Sequence, residues 1–375
     1  MTTQSNSGRY RFGDRIIELR TSRLSDGRSW RRTNLEHEER LRPAFGSPSS
    51  DWDAEHSATA WAQKWLADRS GVGIPLSRLI LLEEGDTDRV VGQQAYAGPD
   101  PRTGHAESST WIAGLDDSSK VAVWLCAMNM LELFRLHPQL TWATAPLAVT
   151  NAPAIALAKA VNLTWINDMR GFREYSGVPI DHTLYAGPNT PEYKDHLEKL
   201  VASLGVERVA PRRAAAPSPE ALLGLARAGV RRARARRGAG ASSGAAAVLL
   251  PAATTEDGHA IAFVTGPDQR YTVTADGTRI GQVQITVDPG TSTTELIEWL
   301  RPDAPKEIAT AATVAACRVL AERQNTRRLT VALADRHAGA RDPLIGIDFV
   351  SEGQTLPTIG DADSPREMFT RYREQ

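Results

Sequence analysis

The chain has 375 residues, of which 41% are hydrophobic and 24% charged, a composition typical of a soluble globular protein that is long enough for two domains. The formal net charge of -1 excludes a generic binder of polyanions, and no apolar run reaches the roughly 18 residues of a transmembrane helix. The first residues are polar and lack the apolar segment of a signal peptide, so we expect a cytoplasmic protein that does not contact membranes.

The cysteine and histidine residues show no pattern of metal ligands. Cys126 and Cys317 both lie in apolar helical runs, which favours buried free thiols over a disulfide or a catalytic role. The eight histidines are scattered, without HxxxH or CxxC spacing, so no metal site is expected.

The first folded domain is predicted to span residues 15–200, after a disordered leader at residues 1–14. Its predicted strands are residues 16–23, 78–82, 90–96, 105–113, 140–145, 163–166 and 182–185. Helices are predicted between residues 28 and 69, at 121–135 and at 152–161, with Asp53 as a candidate cap for the helix that carries Trp61 and Trp65. The helix at 121–135 is apolar except for one stripe of Asn129, Glu132 and Arg135. Strands followed by a buried helix, a strand, a helix and further strands predict a mixed α/β sheet.

A segment rich in Ala, Arg and Pro, residues 201–255, is predicted to be a linker with one possible helix at 219–236. Its arginine cluster at residues 231–237 is interpreted as a solvated basic linker. The alternatives are contact with nucleic acid, an acidic carrier protein or a phosphorylated ligand. Nucleic acid is not expected, because no basic strand with interspersed aromatic residues accompanies the cluster.

The second domain is predicted to span residues 256–375. Residues 271–274 and 279–287 form a hairpin pattern around Asp276-Gly277. Further strands are predicted at residues 295–300, 329–334 and 345–350, with a helix at 306–323.

Three landmarks recur in the two domains in the same order. Trp111 follows Gly92 by 19 residues, and the Trp-Leu pair at 299–300 follows Gly281 by 18. The Leu-Thr pair at 140–141 follows Trp111 by 29 residues, and that at 329–330 follows residue 299 by 30. We therefore expect a duplicated fold whose second copy lacks the first helices.

The first domain resembles the ribosomal-protein N-terminal acetyltransferases of the GNAT superfamily. Its opening, LRTSRL at residues 19–24, is similar to the family's first strand, LRTxRL. The family's closing pattern, Asn-x-x-Ser, then Leu-Gly-Phe, Gly and Asp-His, corresponds to Asn151, Ala154, residues 161–163, Gly177 and Asp181-His182. The second domain resembles only the core of the superfamily. The implied fold class is α/β: tandem GNAT-like folds, each a mixed, mostly antiparallel sheet flanked by helices.

This resemblance implies acetyl-CoA or a longer acyl-CoA as donor, with no metal. The donor's pantetheine would pair with the backbone of the strand carrying Ser109, Trp111, Ile112 and Ala113. Its diphosphate would lie on amides at the following helix start, Ser118, Ser119, Lys120 and Val121, since helix N-termini bind anions. Asn151 is counted with the donor site, and capping of its own helix is the alternative.

The sequence departs from the family at the diphosphate loop. The family has Gln-Gly-Lys-Gly there, whereas this chain has Ser118-Ser119-Lys120-Val121 after two aspartates, and about Ala304-Pro305-Lys306-Glu307 in the second domain. Both glycines are missing, although glycine allows the backbone to approach phosphate closely. Lys120 is a candidate phosphate ligand or a solvated lysine.

The resemblance also implies direct attack of an amine on the thioester. Glu107 matches the strand glutamate that serves some members as base, with an edge salt bridge as the alternative. His182 is a candidate for catalysis or for fixing strands. Ala154 occupies the position where the family has the serine or tyrosine that protonates the leaving thiolate.

Three functions remain open at this stage. The first is an N-acyltransferase acting on an amine-bearing small molecule or a peptide N-terminus. The second takes its acyl group from the phosphopantetheine of an acyl carrier protein, a donor without the nucleotide diphosphate. The third is a non-catalytic binding or scaffold protein with degenerate CoA sites. The acceptor cleft is expected between the helices at residues 28–69 and the Glu107 strand, near residues 171–178, with Trp52, Trp61 and Trp65 as candidate lining or core residues.

Overall fold

The computed structural model of the protein describes residues 7–45, 51–68, 77–85, 87–100, 103–175, 178–210, 223, 225–228, 250, 252–266, 269–288, 293–300, 303–322, 327–357 and 366–373. The chain divides into two compact units. The first consists of Met1–Trp165 and Leu184–Ala241, and the second of Ile166–Thr183 and Ser242–Gln375. In the part that the structure describes, no helix combines the length and apolar character that a membrane crossing requires.

The first sheet contains β1 (Gly8–Phe12), β2 (Arg15–Arg20), β3 (Ser77–Glu84), β4 (Thr87–Ala97), β5 (His105–Ile112), β6 (Trp142–Ala148), β7 (Thr164–Tyr175), β8 (Val178–Pro188) and β9 (Glu207–Val209). Its strand order is β7-β8-β6-β5-β4-β3-β2-β1-β9. The pairs from β9 to β5 are antiparallel, and β5 pairs with β6 in parallel. The predicted mixed and mostly antiparallel sheet is therefore confirmed.

Helices cover both faces of this sheet. They are α1 (Gly27–Glu36), α2 (Glu38–Phe45), α3 (Trp52–Glu55), α4 (Ala58–Ala67), α5 (Ser119–Leu136), α6 (Ala152–Ala160) and α7 (Pro191–Ser203). In β3, Leu79 and Leu81 pack with the tryptophans of α1 and α4, whereas Ile80 packs with α5. The uninterrupted apolar run of β3 follows from this arrangement, because a strand covered on both faces has no polar side.

The second sheet has the order β10-β11-β12-β13-β14-β15-β17-β16. Its strands are β10 (Ala253–Thr254), β11 (Ala260–Thr265), β12 (Arg270–Ala275), β13 (Thr278–Asp288), β14 (Thr293–Leu300), β15 (Arg328–Ala334), β16 (Val350–Thr355) and β17 (Arg366–Tyr372). Its helices are α8 (Lys306–Glu322) and α9 (Arg341–Ile345), with a 3-10 helix at Asp335–Ala340. The alanine-rich α8 packs its buried face on the sheet through Ala309, Ala312 and Ala316.

The two sheets share features beyond strand order. In each sheet, the strand that carries the tryptophan landmark pairs in parallel with the strand that follows it in sequence: β5 with β6, and β14 with β15. Each also has a β-bulge directly before the landmark glycine, with Val91 unpaired opposite Ile80 and Leu81, and Ile280 unpaired opposite Val273 and Thr274. This correspondence agrees with the expected duplication, which remains a prediction for the second half.

A segment of the β7–β8 hairpin, residues 166–183, packs within the second unit. The Arg328 guanidinium donates to both carboxylate oxygens of Glu352 at 2.9 and 2.6 Å and to the Arg170 carbonyl. The Arg170 amide donates to the same Glu352 carboxylate at 2.9 Å. At Gly171, φ is +54° and a Cβ would lie 2.5 Å from Tyr372 Cε2, so the hairpin crosses this ring where only glycine fits.

Several local expectations are corrected by the structure. Residues 8–12 of the expected disordered leader form β1, because they pair with β2 and β9. The strand expected at residues 345–350 is wrong: Ile345 ends α9, and β16 begins at Val350. The helix carrying Trp61 is capped by Ser57, whose Oγ accepts from the Ala60 amide at 3.2 Å, and not by Asp53.

Two other predictions fall on parts that the structure describes only in part. The possible helix at 219–236 and the arginine cluster at 231–237 lie largely outside the described residues. The linker predicted for residues 201–255 begins with the last turn of α7 and with β9, which pairs with β1.

Candidate active site

The parallel pairing of β5 with β6 ends halfway along β5. It covers His105 with Trp142, Ala106 with Ala143, and Glu107 with Thr144. Both strands continue beyond these pairs, β5 to Ile112 and β6 to Ala148. Beyond Glu107 the two strands are no longer paired, and we call this unpaired stretch, next to the predicted donor residues from Ser109 to Ala113, the V.

The helix that follows β5 begins at the predicted diphosphate loop. Ser118 is the N-cap of α5, and its side chain makes no capping hydrogen bond. The first-turn amides of any α-helix have no intrahelical acceptor, so the start of α5 offers donors to an anion. Lys120 is exposed there, as are Asp116 and Asp117. The amides and Lys120 fit a diphosphate, whereas the two carboxylates oppose it electrostatically.

A cavity of about 400 Å³ lies on the outer face of β4 and β5 in the first unit. Its lining residues are Trp30, Asn34, Trp52, Glu55, His56, Ala60, Lys64, Gln93, Ser109 and Trp111. Side chains alternate along a strand, so Ser109 and Trp111 reach the cavity while Ser108 faces α5 and accepts from Asn129 at 2.9 Å. The helices at the start of the domain and β5 thus enclose a cleft with aromatic and polar walls.

Of the three tryptophans considered for the cleft, one lines it. Trp52 does, and its Nε1 donates to the Asn34 carbonyl at 3.0 Å. Trp61 is only 1% exposed and donates to the Leu24 carbonyl at 3.2 Å, which makes it a core residue. Trp65 is partly buried against the same core cluster and does not line the cavity.

The most informative residue of this cavity, His56, was not predicted from the sequence. It is only 8% exposed, and its Nδ1 lies 2.7 Å from the Trp52 carbonyl. Its ring stacks obliquely against Trp52, at 4.1 Å between centroids, and against Trp30, at 4.9 Å. Burial is the main cause that lowers the pKa of His56. A single histidine in a polar helical stretch gives no sequence signal of such surroundings.

The predicted base Glu107 occupies the last β5 position that pairs with β6. It is half-buried and pairs across the sheet with Ala97 and Thr144. By strand alternation it lies on the same face as Ser109 and Trp111. It is one step beyond the residues that line the cavity.

Three other predicted donor-site residues have a structural role or are buried. Asn151 caps α6, since its Oδ1 accepts from the Ala154 amide at 3.2 Å. Ile112 and Ala113 are buried, at 7% and 0% exposure. Ala113 therefore exposes neither side chain nor backbone to a ligand, and its amide already donates to the Val91 carbonyl at 2.6 Å, so its place in the donor site stays a prediction.

His182, the other predicted catalytic residue, lies in the second unit and is 1% exposed. Its Nδ1 is 2.9 Å from the Ile180 carbonyl, and its Nε2 is 3.0 Å from the Tyr175 hydroxyl. Since a carbonyl only accepts, Nδ1 carries the hydrogen and Nε2 accepts from the hydroxyl. Burial is the main cause that lowers the pKa of His182 to about 4, so the ring is neutral at neutral pH.

Comparison with known proteins supports the first half of the sequence interpretation. The model of a family described as an acetyltransferase (GNAT) domain matches residues 19–184. The resemblance to GNAT acetyltransferases is therefore confirmed for this part of the chain. The second half lies outside the match, and the search of curated proteins finds no relative.

Comparison with solved structures also finds several acetyltransferases, each at a TM-score below 0.5. RimJ from Mycobacterium smegmatis, in complex with CoA-disulfide, has 24% identity and a TM-score of 0.46, with 54% of this chain and 96% of that chain covered. For the ribosomal-protein-S5-alanine acetyltransferase from Vibrio fischeri the identity is 13%, the TM-score 0.40 and the coverage 47% and 94%. A GCN5-related N-acetyltransferase from Brucella melitensis has 16% identity and a TM-score of 0.40, with 52% of this chain and 86% of that chain covered.

Proposed function

We propose that the first half of the chain transfers an acyl group from acyl-CoA to a primary amine. The observation that carries this proposal is the position of the cavity relative to the V. The β5–β6 pairing ends at Glu107, and two positions further along the same strand Ser109 lines the cavity. A thioester held in the V and an amine held in the cavity would thus meet along one strand. The GNAT match over residues 19–184 supports the same reaction class.

Each part of the donor has a plausible position. The backbone from Ser109 to Ala113 would pair with the pantetheine amides along the V. The amides at the start of α5 and the Lys120 ammonium would bind the diphosphate. The thioester supplies an activated acyl carbon. The resemblance assigns the uptake of the amine proton to Glu107, whereas Ala154 offers no hydroxyl to protonate the leaving thiolate.

The acceptor is proposed to be a small amine or a peptide N-terminus. A cavity of about 400 Å³ is at the lower end of the usual range for small-molecule sites, so it would hold one residue or a small amine and not a folded protein segment. Among the solved relatives, some are named for acetylation of ribosomal proteins, which is compatible with the peptide alternative.

A donor bound to an acyl carrier protein is the second candidate. It is favoured by the diphosphate loop, where Ser118 and Ser119 replace family residues and Asp116 and Asp117 add negative charge. Phosphopantetheine lacks the adenosine of CoA and the second phosphate of its diphosphate, so these changes in the loop would weaken the binding of such a donor less than the binding of CoA.

We also propose that the second half is a reduced copy with a structural role. Its 3-10 helix packs directly on α8, since a Cβ on Gly339 would lie 2.9 Å from Thr310 Oγ1. Residues 166–183 of the hairpin belong to the same unit and are tied to Arg328 and Glu352. We expect one molecule of acyl-CoA per chain, and a calorimetric stoichiometry of two would contradict this role.

The donor proposal is tested by calorimetric titration of the full chain with acetyl-CoA, longer acyl-CoAs and acyl-pantetheine. We expect acetyl-CoA to bind and Lys120→Ala to weaken it about 5-fold, as loss of about 1 kcal/mol of charge interaction predicts. Lys199→Ala is the matched control, because Lys199 is exposed on α7 and pairs with Asp195. Binding of acyl-pantetheine alone would favour the carrier-protein donor, and binding of none would support the scaffold alternative.

The reaction itself is tested by the release of free thiol from acetyl-CoA in the presence of primary amines, with the product identified by mass spectrometry. Glu107→Gln should lower turnover if this carboxylate is the base, and should leave the dissociation constant of acetyl-CoA unchanged. Glu198→Gln on α7 controls for the loss of one carboxylate. Thiol release that does not depend on an amine would contradict the proposal.

A further inference from the structure

We propose that His56 accepts the proton of the incoming amine in the acyl transfer proposed above, on which this inference rests. His56 lines the same cavity as Ser109 and Trp111 of β5. Glu107, the base that the resemblance implies, does not line it. An amine in the cavity therefore has the imidazole within its own chamber, whereas the carboxylate lies further along the strand.

The hydrogen bond of Nδ1 fixes which ring nitrogen can act as a base. Nδ1 lies 2.7 Å from the Trp52 carbonyl, which can only accept, so in the neutral ring the hydrogen is on Nδ1 and Nε2 is the acceptor. Among the residues that the structure describes, none hydrogen-bonds to Nε2. The tryptophan rings of α1 and α3 hold the imidazole plane at 4.9 and 4.1 Å, so this orientation is built into the fold.

Burial keeps the His56 ring neutral, and the groups around the ring offset this effect only in part. Burial lowers the pKa of His56 most strongly, and Arg31 on α1 lowers it further. The hydrogen bond to the Trp52 carbonyl raises the pKa in part, as do Glu55 beside the ring and Glu38 on α2. Lys64 of α4 lines the same cavity. A ring that is neutral near physiological pH can accept a proton, which a protonated ring cannot.

The reaction balances with His56 in this role. The primary ammonium gives one proton to Nε2 and becomes a neutral amine. Its lone pair forms the C–N bond to the thioester carbon, the C–S bond breaks, and the electron pair leaves with sulfur. The nitrogen loses its second proton to solvent, and the thiolate is protonated by the imidazolium or by water. The products are the amide, the free thiol and one proton.

The test compares the pH dependence of wild type and His56→Gln with acetyl-CoA and a panel of primary amines: an alkylamine, an arylalkylamine, a polyamine and a short peptide with a free N-terminus. At about pH 7 an alkylamine is almost fully protonated, and loss of a general base should lower kcat/KM by about 100-fold or more. The deficit should shrink about tenfold per pH unit toward the amine's pKa, near 10 for an alkylamine, because a neutral amine needs no base.

His137→Gln is the matched control. His137 ends α5, contacts the Tyr96 ring at 5.8 Å between centroids and has a pKa lowered by burial, but it does not line the cavity. This variant should keep wild-type activity at every pH. The affinity for acetyl-CoA and the thermal midpoint are measured for both variants, so that misfolding is recognised.

The wild-type chain provides a second readout that does not depend on a variant. Nitrogen chemical shifts of the His56 ring should show hydrogen on Nδ1 and none on Nε2 at about pH 7. A protonated Nε2, or a His56→Gln deficit that is the same at all pH values, would overturn the role. If wild type acylates amines and His56→Gln does so equally fast, only this inference fails. If wild type acylates none of the amines, the proposed function fails, and the role of His56 fails with it.

Discussion

The ion pair between Arg78 of β3 and Glu132 of α5 supports the sharpest stability prediction for this fold. The two side chains are 2% and 1% exposed and meet in a bidentate contact. Removal of Glu132 leaves Arg78 buried without this counterion, and removal of Arg78 leaves Glu132 buried with the more distant and exposed Arg135 at 3.8 Å. We therefore expect Glu132→Leu or Arg78→Met alone to cost about 3–5 kcal/mol of unfolding free energy.

The double variant separates the charge effect from loss of packing. When both partners become apolar groups of similar volume, neither charge remains buried, and such replacements are often neutral. Arg78→Met with Glu132→Leu should therefore recover most of the stability that either single change loses. In a unit of this size the single changes correspond to a fall in thermal midpoint of roughly 6–20 °C.

The assay is urea unfolding of the full chain, followed by circular dichroism, for wild type, both single variants and the double variant. The exposed pair Lys199–Asp195, at 2.6 Å on α7, is the control, and its loss should cost less than about 1 kcal/mol. If the stability loss of the double variant equals the sum of the losses of the two single variants, the reasoning is refuted, because additivity means that the two charges do not interact.

Three further predictions concern backbone fit and pH. Gly171→Ala should lower the unfolding free energy by about 2 kcal/mol or more, since φ is +54° and the new Cβ would lie 2.5 Å from Tyr372 Cε2. In a Tyr372→Ala background the same change should cost only about 1 kcal/mol, as measured by thermal unfolding. Gly92→Ala should cost about 3 kcal/mol or more and weaken acetyl-CoA binding, because its Cβ would lie 2.2 Å from the Trp111 carbonyl; wild-type stability in urea would contradict this. Burial lowers the pKa of His182 from 6.5 to about 4, so between these pH values the unfolded chain binds more protons than the folded chain. The unfolding free energy should therefore fall as the pH drops from 6.5 to about 4. Thermal melts at several pH values should show a weaker pH dependence of stability for His182→Gln than for wild type.

Much of the fold could be predicted from local patterns. The apolar run of β3 and the largely apolar α5 follow from burial on both sides, and each was predicted within a few residues. The strand predicted at residues 345–350 failed for a physical reason. Ile347 and Phe349 alternate as in a strand, yet Leu344 is buried at the end of a short helix and Ile345 is 51% exposed. A short apolar run does not distinguish the two structures.

The polar stripe of α5 shows where local patterns stop being informative. Glu132 and Asn129 were identified as a stripe, but both are buried, because Arg78 and Ser108 from the sheet satisfy them. Those partners lie 54 and 21 residues away along the chain. No periodicity relates such positions, so a single sequence cannot reveal which polar side chains pair across the core.

The same limit explains why His56 was not identified in advance, although a cleft between these helices and the Glu107 strand was expected. The cavity combines residues from α1, α3, α4, β4 and β5, between positions 30 and 111. The base character of His56 depends on a carbonyl four residues earlier and on two tryptophan rings. The donor strand, by contrast, is implied by the resemblance to the GNAT superfamily, and it stays a prediction, placed next to the point where the β5–β6 ladder ends.

The cavity also explains why two similar sheets need not have similar activities. Seven of its ten lining residues come from the region between β2 and β3, where α1, α3 and α4 lie. The corresponding strands of the second sheet, β11 and β12, are separated only by residues 266–269. The second sheet repeats the strand order, the bulge and the parallel pair, which in the first sheet surround the proposed donor strand. Four residues are too few to form helices like those that enclose the cavity of the first unit, so the chemistry that we propose requires the first half, whatever the second half binds.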